Sequence, residues 1–419
     1  MKRRAGSVYG LVVLLFLVLS AGCGVPGNNL PLYQRSMVIQ NPQAEQAVLA
    51  RASLEVRQIP RSGTPVKVLY LRGTPYEMGF QHGTLLRDDV RSMYKRLIGL
   101  LKFKADVDIL DEVYDLMASY IPSEEQEEMR GLAHGADVPL RVVHWIHAIP
   151  GVFEYGPKKR FLKGGVPTSC SNLVAFDRAT ANGELYHLRV LDWARYFHLQ
   201  NWPVVLVHRP ETGHASVTFS YAGFIGAVTG MNDQQLTFGE MGYGNPPGES
   251  LEGIPFVFLF RKMMREADSI EEIRRTIESA QRTNSYVFVF GDAKQQAGPA
   301  KGRLFIADRG RVLNFAENTD MVDEREGGDT YPAIENVVYG GARGEVLHGS
   351  ILEHYGTIDP EVLKKIAAQV SLKSNLHNVI LRPRTMEAWF SNASLSRGAE
   401  GKASSQPWLH LDFSEALRD

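Results

Sequence analysis

Cys170 is the residue of this 419-residue chain best suited by type and setting to nucleophilic chemistry. It follows residues 151–168 (GVFEYGPKKRFLKGGVPT), a stretch rich in Gly, Pro and Lys that reads as an exposed loop. It then opens a run of strands, so a cut between Ser169 and Cys170 leaves a cysteine as the free N-terminus of a strand. Such a cysteine needs no separate histidine, because its own α-amine, with an unperturbed pKa of about 8, takes the thiol proton. The amine must be oriented by an acceptor, and the oxyanion formed on attack needs donors. Arg189 and Asp192 follow Cys170 by 19 and 22 residues, one hairpin out and back. An aspartate there would hold the amine, and an arginine would favour the thiolate. Three apart, they point to opposite faces of a regular strand and share a site only where that strand bends or ends. The same residues also read as a salt bridge at a strand end, with Cys170 a small buried hydrophobe.

The elements that must position these residues run the length of the chain. Residues 66–72 (VKVLYLR) alternate like a strand, and Thr74 with Pro75 and Glu77 caps and opens a helix. Helical pattern continues to about residue 104, returns over 108–119, resumes at Ser123 and covers 140–148. The strands opened by Cys170 are expected over 171–176, 184–192, 203–209, 214–220, 225–229 and 235–240, with Asn182-Gly183 turning the first hairpin. Two helices follow over 255–280, then strands over 285–291, 303–307, 311–316 and 333–339. A helix over 359–370 and a hairpin of 376–382 with 386–391 close the series. This order predicts an α+β protein of stacked sheets covered by helices, preceded by a mainly helical N-terminal segment.

The N-terminus reads as a targeting segment. Lys2, Arg3 and Arg4 precede the apolar run Leu11–Leu19, too short to span a bilayer. Ser20-Ala21-Gly22-Cys23 resembles a bacterial lipobox, so residues 1–22 read as a lipoprotein signal peptide, Cys23 as the lipidated residue and 23–65 as a tether. The expectation is an exported lipoprotein, held to a membrane by its N-terminal lipid. Cys170 then lacks a partner in its own chain in a compartment that oxidises thiols, which makes it either a core residue or a thiol kept for chemistry. Forty-six basic against forty-seven acidic side chains provide no field for nucleic acid. No cofactor is called for. His144 and His147, i and i+3 on a helix, have metal spacing but no accompanying Asp, Glu or Cys cluster, and His82 reads as packing. The glycines at 223, 226 and 230 precede no phosphate-binding helix.

Several segments, in order, are similar to a known family: GTPYEMGFQHG (73–83), RGLAHGADVP (130–139), Thr168-Ser169-Cys170-Ser171, RVLDW (189–193) and GFIGAVTGMN (223–232). Together they resemble the isopenicillin-N acyltransferase family of autoproteolytic cysteine N-terminal-nucleophile hydrolases, peptidase C45 type, over residues 66–393. The resemblance implies a four-layer αββα sandwich and an inactive precursor cut before Cys170. The products would be an α chain ending with the helical region 66–169 and a β chain of 170–419. It implies Cys170 as nucleophile, Arg189 and Asp192 beside its thiol and amine, and Asn284 as an oxyanion donor. A backbone N–H near Gly242 is implied as the second donor. A late arginine of the family has no counterpart near Asn375 and His377, and Ser169 stands where relatives have Gly or Asp. The implied activity is hydrolysis or acyl transfer at linear C–N amide bonds of N-acylated small molecules or lipid-like amides. An ester hydrolase of phospholipase B-like type and a catalytically inactive, lipid-anchored binding protein are the alternatives.

Overall fold

The structure is a computed structural model that describes residues 41–59, 64–102, 107–155, 169–193, 195–243, 248–294, 300–322, 330–341 and 343–418. Residues 1–22, read above as a signal peptide, Cys23, and residues 156–168, expected as a loop, lie outside the described residues. In chain order the elements begin α1 (Pro42–Leu49), β1 (Ser53–Arg57), β2 (Val66–Gly73), α2 (Pro75–Leu85), α3 (Arg87–Lys102), α4 (Ile109–Ala118), α5 (Ser123–Ala136) and α6 (Leu140–Glu154). Then come β3 (Ser169–Asp177), β4 (Gly183–Asp192), β5 (Pro203–Pro210), β6 (Ser216–Tyr221), β7 (Thr229–Asn232) and β8 (Leu236–Gly242). After α7 (Phe256–Glu266) and α8 (Ile270–Ser279) follow β9 (Tyr286–Asp292), β10 (Lys301–Ala307), β11 (Val312–Ala316), β12 (Met321–Val322), β13 (Thr330–Tyr331) and β14 (Val337–Gly341). The chain closes with α9 (Gly344–Glu353), α10 (Pro360–Val370), β15 (Asn375–Arg382), β16 (Glu387–Asn392), β17 (Leu409–Asp412) and α11 (Ser414–Arg418).

A nine-stranded sheet has the order β1-β2-β5-β6-β7-β8-β9-β10-β11, and a six-stranded sheet the order β14-β3-β4-β15-β16-β17. The sheets pack face to face, β3 and β4 lying over β8 and β9. Helices α2, α7 and α8 cover the outer face of the larger sheet; α9 and α10 cover that of the smaller. The layer order is α–β–β–α. Sheets covered on both sides need strands apolar on both faces, and β9 (YVFVFGD) is buried at every position.

The helices begin where local chemistry starts them. Thr74 and Glu77 form a reciprocal capping box ahead of α2, with Pro75 at its first position. Helix α3 buries Val90, Met93, Tyr94, Leu97 and Leu101, one stripe at helical spacing. Helices α2 and α5 meet through glycines: a Cβ on Gly79 or Gly83 would strike the α5 backbone, and one on Gly131 or Gly135 would strike that of α2.

The expected single helix from 75 to 104 is two, α2 and α3, which meet at Leu86. The strand expected at 225–229 lies at Thr229–Asn232, because the preceding residues form a turn held by the helical layer. Part of the stretch assigned to the tether is built into the fold as α1 and β1, the latter pairing antiparallel with β2. Among the described residues, no helix is long and apolar enough to cross a membrane.

Candidate active site

Cys170 is the second residue of β3, and the register of β3 with β4 sets what surrounds it. Ser169 lies opposite Asp192, Cys170 opposite Leu191, and Asn172 opposite Arg189. Side chains alternate along a strand, so Cys170, Asn172, Leu191 and Arg189 share the face turned to the larger sheet. Asp192 ends β4 and pairs onward with Asn375 of β15, one residue before a bulge. The strand end is what lets Arg189 and Asp192 serve one place from two faces. On the other side of β3, Gly341 closes β14 at φ +125°, and a Cβ there would collide with the Cys170 carbonyl oxygen.

Arg189 is completely buried. Its Nη1 donates to the Val190 carbonyl at 2.7 Å, and its Nη2 faces Glu240 Oε2, on the opposing sheet, at 3.4 Å. A buried guanidinium needs an anion and acceptors to compensate its lost hydration, and Glu240 is the anion here. Near it, His187 links the sheets. Its Nε2 donates to Asn172 Oδ1 at 3.1 Å, and its Nδ1 accepts from Thr237 Oγ1 at 2.9 Å.

The Cys170 thiol is pushed up to about 12, first by burial and then, against the pull of Arg189, by Glu240 and Asp192. In the uncut chain it is therefore a neutral thiol. Asp192 is raised to about 6, again chiefly by burial, with the Leu372 N–H, Asn375, Arg189 and Lys402 opposing. Its Oδ1 accepts from Leu372 N at 3.1 Å. Its Oδ2 is buried and has no hydrogen-bond partner among the described residues. Buried polar atoms in folded proteins nearly always have a partner, so this oxygen marks a place for a donor.

The thiol forms part of the wall of a cavity that encloses about 840 Å³ of empty space, its mouth included. The wall is mostly apolar, and both halves of the chain build it. Met93, Leu97, Ile146, Ile149 and Pro150 come from α3 and α6; Leu191, Trp193, Phe219, Tyr221, Phe224, Phe256 and Leu376 come from beyond Cys170. Ser220, Glu240, Gly242 and His377 supply its polar points. His377 Nδ1 accepts from the Tyr221 hydroxyl at 3.2 Å, and burial followed by Arg189 holds the ring well below its ordinary pKa, so it is neutral.

The structure thus gathers Cys170, Arg189, Asp192 and Gly242 around one end of β3. Asn284 is differently engaged. It sits at φ +47° just before β9, its Nδ2 donates to Gly151 O at 2.9 Å and Tyr286 Oη at 3.0 Å, and it is not part of the cavity wall. Of the other candidates, His82 accepts from Gly223 N at 2.9 Å, His144 stacks on Tyr114 at 3.8 Å, and His147 bonds Val143 O and Ile225 N. Glu240 escaped the sequence reading. Its signal was an acid inside the apolar run of β8 (LTFGEMG), two residues and therefore one strand face from Gly242.

The two sheets and their helices are stacked in the order α–β–β–α, and Cys170 lies on an inner strand of the smaller sheet. No protein-family model matches the chain. In sequence it is similar to protein dcd1A of Dictyostelium discoideum, 26% identical over 405 residues that cover 86% of this chain and 86% of that protein. It is 27% identical to an uncharacterized protein of Archaeoglobus fulgidus over 359 residues, 71% of this chain and 57% of that protein. Among solved structures, an N-acylethanolamine-hydrolyzing acid amidase ortholog from Caenorhabditis elegans aligns with a TM-score of 0.39 at 12% identity, over 58% of this chain and 100% of that one. Penicillin V acylase from Agrobacterium tumefaciens aligns with a TM-score of 0.36 at 12% identity, over 59% and 87%.

Proposed function

We propose that this chain is a self-processing cysteine N-terminal-nucleophile enzyme that hydrolyses, or transfers the acyl group of, linear amides. The observation that carries the reading is a buried thiol on the wall of an apolar cavity, with an unpartnered Asp192 carboxylate oxygen at the first rungs of the same β3–β4 ladder. Processing begins when Cys170 Sγ adds to the Ser169 carbonyl carbon. The C–N bond breaks, the nitrogen takes the thiol proton and leaves as an amine, and water hydrolyses the resulting thioester. The new α-amine replaces a peptide N–H and supplies the donor that Asp192 Oδ2 lacks. An amine held there has an ordinary pKa of about 8 and takes the thiol proton in each later turnover. Arg189 favours the thiolate. The Gly242 backbone, at the end of β8, is the nearer candidate for receiving the oxyanion. Asn284 takes that role only if its amide turns away from Gly151 and Tyr286.

The substrate's acyl group enters the cavity, whose wall rewards an apolar chain or ring and, among the described residues, offers no cation for an acidic one. Cys23 carries the lipid, so the enzyme works at a membrane surface outside the cytoplasm. The α chain, residues 23–169, and the β chain, 170–419, stay together through the shared cavity wall and the pairing of β2 with β5. Turnover of matched alkanoyl p-nitroanilides and p-nitrophenyl esters by the purified protein tests the reaction class. Anilide cleavage that disappears in Cys170→Ala is expected. Ester cleavage alone would move the assignment to an esterase, and no Cys170-dependent turnover of either would overturn it.

A further inference from the structure

Three helices of the N-terminal half close on one turn of the C-terminal half, and that turn forms part of the Cys170 cavity. The turn follows β6. Tyr221 and Phe224 belong to it, and both line the cavity. His82 Nε2 of α2 accepts the Gly223 N–H at 2.9 Å, and His147 Nε2 of α6 accepts the Ile225 N–H at 3.0 Å. Tyr94 of α3 donates its hydroxyl to the Gly223 carbonyl at 2.6 Å. The His147 ring lies parallel to Phe224, with centroids 4.9 Å apart and planes 7° apart. Gly223 has φ +82°, and a Cβ there would meet the Tyr94 ring at 2.7 Å.

Both histidines accept, and only a neutral imidazole has a lone pair with which to do so. His147 Nδ1 lies 2.8 Å from the Val143 carbonyl, so the proton is on Nδ1 and Nε2 is free to accept. His82 Nε2 accepts the Gly223 N–H, so its proton is on Nδ1, which is buried without a hydrogen-bond partner among the described residues. Glu128 of α5, His208 of β5, His147 of α6 and Arg261 of α7 face His82; burial dominates and lowers it to about 3. His147 is lowered to about 4 by burial, opposed by the Val143 carbonyl and Glu128. Neither ring is needed for the reaction proposed above.

We infer that His82 and His147 are positioning residues for acyl-group selection: as neutral acceptors they fix the turn that presents Phe224 to the cavity. This rests on the reading of that cavity as the acyl pocket. Without the acceptors, two buried N–H groups are left unpaired, and the turn moves to satisfy them. The cost falls on long apolar acyl groups that reach Phe224 and not on short ones.

The test uses the full chain carrying Cys170→Ala, with decanamide and acetamide as probes in titration calorimetry. Decanamide should bind well and acetamide weakly. Adding His147→Leu or His82→Leu should weaken decanamide binding about tenfold, the effect of losing one buried hydrogen bond. His147→Gln and His82→Gln, which keep an acceptor oxygen and guard against misfolding of the leucine variants, should restore most of it. Unchanged decanamide affinity in folded leucine variants would overturn the inference. A parent chain that binds neither probe would overturn the acyl-pocket reading instead. Positioning is then decided by ¹⁵N-histidine spectra at neutral pH, where both Nε2 atoms should carry no proton. A proton on either Nε2 would overturn it.

Discussion

At the scale of single residues, the candidate site sets a buried thiol beside a carboxylate that lacks one donor. The thiol is held protonated by burial, while Asp192 keeps one oxygen without a donor among the described residues. The α-amine must be unprotonated to take the thiol proton, so the pH profile of kcat/KM for a p-nitroanilide should fall as pH drops through the amine's ordinary value of about 8. Asp192→Asn removes the anion that favours the ammonium, so it should move that limb to lower pH and cost about a hundredfold or more in kcat/KM, as expected when a group that orients the base is removed. A limb that stays in place in the mutant would separate Asp192 from the amine. Glu240 pushes the thiol pKa up, so Glu240→Gln should shift the midpoint of Cys170 alkylation by iodoacetamide to lower pH. Cys170, Arg189 and Asp192 were legible because spacing and residue type locate them on one hairpin. Glu240 was not, since sequence shows that β8 is a strand but not which sheet it faces. The same gap hid Asn284's partner Gly151, which lies on α6, 133 residues earlier in the chain.

At the scale of elements, the segments that resembled the family have a mechanical explanation. In GFQHG and RGLAHGAD the glycines are four apart, and they let α2 and α5 approach until backbone meets backbone. Gly79→Ala should lower stability by roughly 1–3 kcal/mol, the usual cost of overpacking. Gly99, on α3, has open space where a methyl would go, with no atom within 4 Å, so Gly99→Ala should raise stability by about 0.5–1 kcal/mol through helix propensity. Denaturant midpoints of the two variants check the contrast; equal shifts would contradict the close α2–α5 contact. The sequence pattern placed most strands and helices because alternation and capping are local. It misplaced β7, where the apolar residues after Tyr221 form a turn gripped from the helical layer. It passed over α9 because Gly340, Gly341 and Gly344 look like helix breakers, although the last of these only starts the helix.

At the scale of the molecule, two sheets and two helical layers bury several imidazoles. His82, His144 and His187 are lowered to about 3, and His147 and His208 to about 4, in each case chiefly by burial. A histidine with a depressed folded pKa binds fewer protons folded than unfolded between that value and 6.5, so stability rises with pH across the window. That contribution is complete above about 6.5 and is lost as pH falls toward 3 to 4. Glu125 and Asp192, both raised to about 6, act the other way between the ordinary carboxylate range and that value. The histidines outnumber them, so the melting temperature should decline steadily from pH 6.5 to pH 4. A flat or rising melting temperature there would contradict these burial effects. Stacked sheets covered by helices were legible from the order of elements and the four-layer order from the resemblance, but the shared cavity wall was not, because it joins helices and strands from before and after Cys170.

On the proposed mechanism the Ser169–Cys170 bond is the activation switch, which intact-mass analysis and N-terminal sequencing of the purified mature protein test. Two chains are expected, the larger comprising residues 170–419 with Cys170 as its first residue, and a single chain for Cys170→Ala. A wild-type protein that stays one chain and still turns over an amide would contradict it.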